Sequence, residues 1–184
     1  MRIEIKDRGP KEFYDEFMYV AANFRKFRSN PEAKARLQTV VYSRYAVLAF
    51  AVILVMVCMY FLHHEGIFLL LSGMMLICFI LLAVLVASMK KRITLMMNEK
   101  GVKTVEIDEK GVKYESEAQT LKIRWEDITA VIINRHSIIF MPRTEIQFMI
   151  SVYTAFREEI LSGIRDAGHM DLVVDNTNKN GHKL

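Results

Sequence analysis

The stretch that decides the fold is YAVLAFAVILVMVCMYFL at residues 45–62, followed after His63-His64-Glu65-Gly66 by IFLLLSGMMLICFILLAVLVASM at residues 67–89. Neither run contains a charged side chain. A helix crosses the roughly 30 Å hydrocarbon core of a bilayer with about 20 apolar residues. The second run has 23 residues and the first has 18. The first reaches spanning length when Val40, Val41 and Tyr42 join it, with the Arg44 head group snorkelling to the interface along its aliphatic stem. A signal peptide does not fit, because 44 residues precede the first run and a second run follows at once. The sequence therefore predicts a transmembrane hairpin, with spans at 45–62 and 67–89 joined by an external turn at 63–66.

Orientation follows from the positive-inside rule. Arg25, Lys26, Arg28, Lys34, Arg36 and Arg44 precede the first span, Lys90, Lys91 and Arg92 follow the second, and the turn between has neither Lys nor Arg. Both termini are expected in the cytoplasm, the chain lying in the inner membrane. Residues 1–92 carry 13 Lys and Arg against 7 Asp and Glu, whereas residues 93–184 carry 12 against 14. The basic character thus belongs to the flanks of the spans. A nucleic-acid role would call for a basic face on the folded domain, and residues 93–184 have no excess to supply one.

No Asp, Glu, Lys, Arg or His lies within either span, so the usual mark of an ion path is missing. Ser72-Gly73 and the pair Ala83 and Ala87 offer small surfaces where helices can approach. Cys58 and Cys78 fall at different depths, about 10 Å apart in a straight hairpin at 1.5 Å per residue. A disulfide needs Cα atoms within about 7 Å, so no internal bridge is expected.

Ahead of the spans, residues 1–44 read as a short strand and a helix. Residues 2–6 alternate Arg, Ile, Glu, Ile, Lys, and Gly9-Pro10 then breaks the chain. From Lys11 to Arg28, Phe13, Phe17, Val20, Phe24 and Phe27 recur at steps of four and three, an amphipathic stripe. That stripe suits either a helix lying in the inner interface or one packed on the C-terminal domain. Glu12, Asp15 and Glu16 would be repelled by an anionic surface, which places membrane contact nearer Arg25, Lys26 and Arg28. Ser29-Asn30-Pro31-Glu32 reads as a stop and a fresh helix start, with Asn30 as N-cap and Pro31 at the first helical position.

Past Arg92 the period changes to two. Val105 and Ile107, then Val112 and Tyr114, then Leu121, Ile123 and Trp125, then Ile146, Phe148 and Ile150 alternate with polar neighbours, as antiparallel strands with one wet face do. Turn signals fall at Glu109-Lys110-Gly111, Asn134-Arg135-His136-Ser137 and Pro142-Arg143-Thr144. After Ser151 the pattern becomes helical again, with Phe156, Ile160, Ile164 and Ala167 on one side and Gly168 as the stop. The expected fold is α+β: the hairpin plus a sheet of about six antiparallel strands at 93–168, closed by one C-terminal helix. The segment 169–184 is expected to be a polar tail.

A bent antiparallel sheet capped by a C-terminal helix resembles a pleckstrin-homology-like (PH-like) domain. The order of parts is similar to that of the YcxB-like family of bacterial membrane proteins. The residues that carry the likeness are Ile107-Asp108-Glu109-Lys110-Gly111-Val112, an acidic-Gly-apolar hairpin, and Ile123-Arg124-Trp125-Glu126-Asp127-Ile128, a Trp-polar-acidic-Ile element. They lie in the segment of about 75 residues, 93–168, behind the two spans. The resemblance implies a multi-pass cell-membrane protein with a cytoplasmic domain, and brings no catalytic residues.

Candidate chemistry is sparse. His63, His64 and Glu65 point different ways on a four-residue turn, whereas a closed metal site needs about four converging ligands. Glu126-Asp127 reads as the cap of a turn, and His136 and His169 as exposed. There is no nucleophile with a partner base, no phosphate loop and no Cys-x-x-Cys, so no catalytic residue, metal or cofactor is expected. PH-like domains often bind anionic head groups through basic residues. The candidates here are Lys90, Lys91 and Arg92 beside the span and Lys110 and Lys113 in the domain. Lys100 and Lys103 stand in the same group, with Glu99, Glu109 and Glu115 among them. The expected function is a cytoplasmic interaction module for protein or anionic lipid, held on the bilayer. The alternative is a small accessory subunit of a membrane transport or signalling complex, contacting it through its spans. Self-association is left open.

Overall fold

The computed structural model describes residues 1–5, 9–98, 101–117, 119–144 and 149–177 of the chain. Two compact units emerge, and their boundaries differ from the linear division expected above. Met1–Ala35 joins Met97–Leu184 in one unit, and Arg36–Met96 forms the other.

The first unit contains two four-stranded sheets. One is built from β1 (Arg2–Ile5), β2 (Lys103–Asp108), β3 (Gly111–Glu115) and β4 (Thr120–Arg124), in that order and antiparallel throughout. β1 is therefore part of the domain that follows the spans: Ile3 lies opposite Val105 and Ile5 opposite Lys103, about a hundred residues away in sequence. The second sheet has the order β7-β6-β5-β8, from β5 (Ile128–Ile133), β6 (Ser137–Pro142), β7 (Ile150–Tyr153) and β8 (Val173–Asp175). β5, β6 and β7 pair antiparallel, while β8 runs parallel to β5. The expected single sheet of about six strands is thus two sheets. The chain changes sheet at Trp125–Asp127, a 3₁₀ turn where the alternation had extended the strand.

Parity explains the rest of the core. Val131, Ile133, Ile138 and Phe140 face the first sheet and pack with Ile3, Val105, Val112 and Ile123. Helix α5 (Arg157–Asp166) adds Ile160 and Ile164 to that core. Alternate residues Ala130, Ile132, Ile139 and Met141 form the opposite face. Both faces of the second sheet are buried, which is why ITAVII and SIIFMP read as continuous apolar runs and not as alternation.

Helices α1 (Lys11–Ala22) and α2 (Phe24–Ser29) cover that second face. Val20 and Phe27 are completely buried there. The aromatic stripe is thus a packing face, and the choice left open by the sequence falls to the domain. Asp15 and Glu16, expected on the side of the helix that an anionic surface would repel, are buried inward. The expected helix start at Asn30-Pro31 is absent: residues 31–37 form a turn and an extended connection, and the next helix begins at Gln38. Tertiary contacts override the capping signal, since Ala33 and Ala35 pack on the covered face and the Asn176 amide donates to the carbonyls of Pro31 and Ala33.

Two further boundaries move. β7 continues to Tyr153 and a 3₁₀ turn intervenes before α5, so the helix starts later than Ser151. The segment past Gly168 enters the fold as β8, and Asn176 is buried. The expected strand residues 145–148, Lys100 and tail residues 178–184 lie outside the described residues.

The second unit is a pair of apolar helices. α3 spans Gln38–His63 and α4 spans Gly66–Asn98, leaving only His64-Glu65 between them. His64 makes the reversal with φ of 55°. α4 does not stop at Met89 but runs through Lys90, Lys91 and Arg92 to Asn98, a length of about 50 Å at the standard rise. The alternating pattern starts only after it. Phe50 of α3 meets Phe79 of α4, with ring centroids 6.0 Å apart. Cys58 and Cys78 are unbridged.

Candidate functional site

The hairpin between β2 and β3 is built around Asp108 and Gly111. Asp108 Oδ1 accepts the backbone N–H of Lys110 at 2.8 Å and that of Gly111 at 2.9 Å. These bonds, the one from Lys110 foremost, hold the Asp108 carboxyl below the usual carboxylate range. Gly111 is required by close approach: a Cβ there would stand 2.0 Å from the Ile123 carbonyl oxygen across the sheet. The glycine of this hairpin therefore answers a backbone constraint.

The hairpin borders a cavity of about 420 Å³. Met1, Ile107, Gly163 and Ala167 supply its apolar lining, and Asp108, Glu109, Asp166 and Lys110 its charged one. Three carboxylates stand against Lys110 and the Met1 ammonium, so the rim carries a small net negative charge.

The predicted basic residues separate into three situations. Lys90, Lys91 and Arg92 are exposed along α4. Lys110 is exposed but stands in the acidic rim just described. Lys113 is tied to Glu115 at 2.9 Å and to Glu106 at 3.6 Å, with Arg2 on the other side of Glu106. The structure does not bring Lys110 and Lys113 together as an anion site: one faces carboxylates and the other is neutralised on the outer face of the first sheet.

His63, His64 and Glu65 are exposed, and among the described residues no group of three His, Cys, Asp or Glu is arranged to hold a metal. Glu126 and Asp127 ion-pair with Arg124 at 2.7 and 3.2 Å within the crossover turn, and the turn has no side-chain cap. His169 is not idle at the surface, since its ring stacks on Trp125.

Sequence reasoning missed a buried polar cluster. Glu16, on α1, is 4% exposed. Its Oε2 accepts the Ser137 hydroxyl at 2.6 Å and the His136 backbone N–H at 3.1 Å. Burial pushes the Glu16 carboxyl up, and the two hydrogen bonds offset this only in part. This cluster pins α1 to the β5–β6 turn. The signal available was Asp15-Glu16 in mid-helix beside Phe13 and Phe17, a break in the polar face too slight to name a partner.

No protein-family model matches the chain, nor does any curated protein or solved structure. Function must be argued from the charge, burial and chain path alone. Two features survive that argument: the apolar helix pair, and a set of basic residues on and beside α2, where Arg25, Lys26, Arg28 and Arg143 are all exposed.

Proposed function

We propose that the chain is an integral protein of the cytoplasmic membrane, crossing it twice with both termini inside, and that it holds a PH-like domain of the YcxB-like type at the inner surface as an interaction module. The observation that carries this reading is the exposure of the helix pair. Only 6% of each apolar window is buried within the molecule. Leu48, Leu54, Phe61, Leu70, Ile77 and Leu81 project outward on several faces. A helix apolar all round needs an apolar surround, and among the described residues the chain covers almost none of these windows, which supports lipid as that surround. The basic residues on both flanks support the orientation. The two packed sheets with α5 closing one core support the PH-like reading, and the Asp108–Gly111 hairpin and Trp125 crossover support the family likeness.

Alkaline carbonate extraction together with cysteine labelling tests the reading. The chain should stay in the membrane pellet, and a cysteine at His64 should react with an impermeant maleimide from outside while one at Glu117 should not. Release by carbonate, or the reverse labelling, overturns it. Recovery of one stoichiometric membrane partner after mild solubilisation would make the protein an accessory subunit instead.

A further inference from the structure

Resting on the two-span reading, we infer that the surface turned to anionic lipid is the α2 end of the domain, formed by Arg25, Lys26, Arg28 and Arg143, and that it binds phospholipid head groups electrostatically without inserting. These four side chains are exposed. Arg25 and Arg28 are three apart on one helix face. Arg28 Nη1 donates to the carbonyl of Arg143 at 3.1 Å, which brings the end of β6 beside α2. Among the described residues no carboxylate pairs with Arg25, Lys26 or Arg143, whereas Lys113 is held by two glutamates. These four cations give the α2 end charge complementarity to an anionic leaflet. The β2–β3 end, with Asp108, Glu109 and Asp166, repels it.

Chain path commits the occupant to a bilayer. Eight residues, and so nine Cα–Cα steps, separate Ser29, the end of α2, from Gln38, the start of the first apolar helix. At about 3.5 Å per step their reach is at most about 30 Å, which ties α2 to within that distance of the first apolar helix. Insertion is excluded by the other face of α2: Phe27 is fully buried and Phe24 packs beside it on the second sheet. What remains for the lipid is charge, with each juxtamembrane cation strengthening surface contact about fivefold.

Hydrogen exchange of the full chain in nanodiscs is the test, comparing neutral phosphatidylcholine with discs carrying phosphatidylglycerol. Amides of residues 23–30 should gain protection on the anionic discs, lose it at high salt as screening shortens the Debye length, and lose about tenfold or more in R25Q/K26Q. Residues 108–113 should not change. Added soluble glycerophosphate should leave 23–30 unprotected, which separates a lipid surface from a free phosphate. Equal exchange on both discs, salt-resistant protection, or a response at 108–113 in place of 23–30 overturns the inference while the protein remains in the disc. Failure to enter discs at all instead overturns the two-span reading beneath it.

Discussion

The indole of Trp125 lies almost flat on the imidazole of His169, with ring centroids 4.6 Å apart and planes inclined by 25°. Its Nε1–H donates to the Asp108 carbonyl at 2.8 Å. One side chain thus links the crossover between the sheets, the β2–β3 hairpin and the segment following α5. Trp125 is 5% exposed.

Trp125→Ala should cost about 3–5 kcal/mol, the range for a large aromatic removed from a core. Trp125→Phe should cost less, keeping apolar contact but leaving the Asp108 carbonyl without its donor. Denaturant titration followed by circular dichroism measures both; a Trp125→Ala loss under about 1 kcal/mol would show that the crossover does not depend on this residue.

Glu16 predicts a pH dependence of definite sign. Its folded-state pKa lies above the ordinary 4.5, so the folded state binds the proton more tightly than the unfolded one. The stability it contributes is complete below about 4.5 and is lost as pH rises through the folded value. Glu16→Gln, which keeps an acceptor for Ser137, should therefore gain on the wild type as pH rises from 4 to 8. Melting temperatures across that range provide the check, and a wild type that gains on the variant with rising pH would refute the assignment.

Gly111→Ala should be among the most damaging single-methyl changes, costing about 2 kcal/mol or more, because the added Cβ meets backbone and not a movable side chain. The same change at Gly66, where nothing stands within 4 Å, should be nearly silent. Paired melts of the two variants give the comparison; equal effects would contradict the packing described.

Residues 93–184 expressed alone should fail to fold cooperatively. They lack β1 on the edge of β2, and they expose Ile132, Ile139 and Met141, which Val20 and Phe27 otherwise cover. Residues 1–35 joined by a flexible linker to residues 97–184 should yield a soluble folded domain with dispersed amide resonances. If the shorter fragment gives the same spectrum, the N-terminal helices are dispensable.

Local periodicity and punctuation sufficed for part of this fold. Two uncharged runs of 18 and 23 residues declare a helical hairpin whatever surrounds them. Strict alternation from Val105 to Tyr114 declares a hairpin, and Gly111 and Gly168 mark its turn and the end of α5. These signals need no partner, because burial on one face or on all faces writes itself into neighbouring residues.

Tertiary structure alone decided which segments meet. Nothing in Arg-Ile-Glu-Ile states that Ile3 will face Val105, and nothing in the Phe13–Phe27 stripe distinguishes a bilayer from the back of a sheet. Both offer an apolar surface, and the period of a helix reports only that one side is buried. The parallel β8 and the pairing of Lys113 with Glu106 and Glu115 belong to the same class. Each depends on what lies opposite in space, where the energy of burial or charge pairing is set by a residue distant in the chain or across a strand. So the sequence by itself determined a membrane-length hairpin beside a strand-rich domain. Folding decided that β1 joins the sheet of β2, and that Arg143 comes to lie beside the cations of α2.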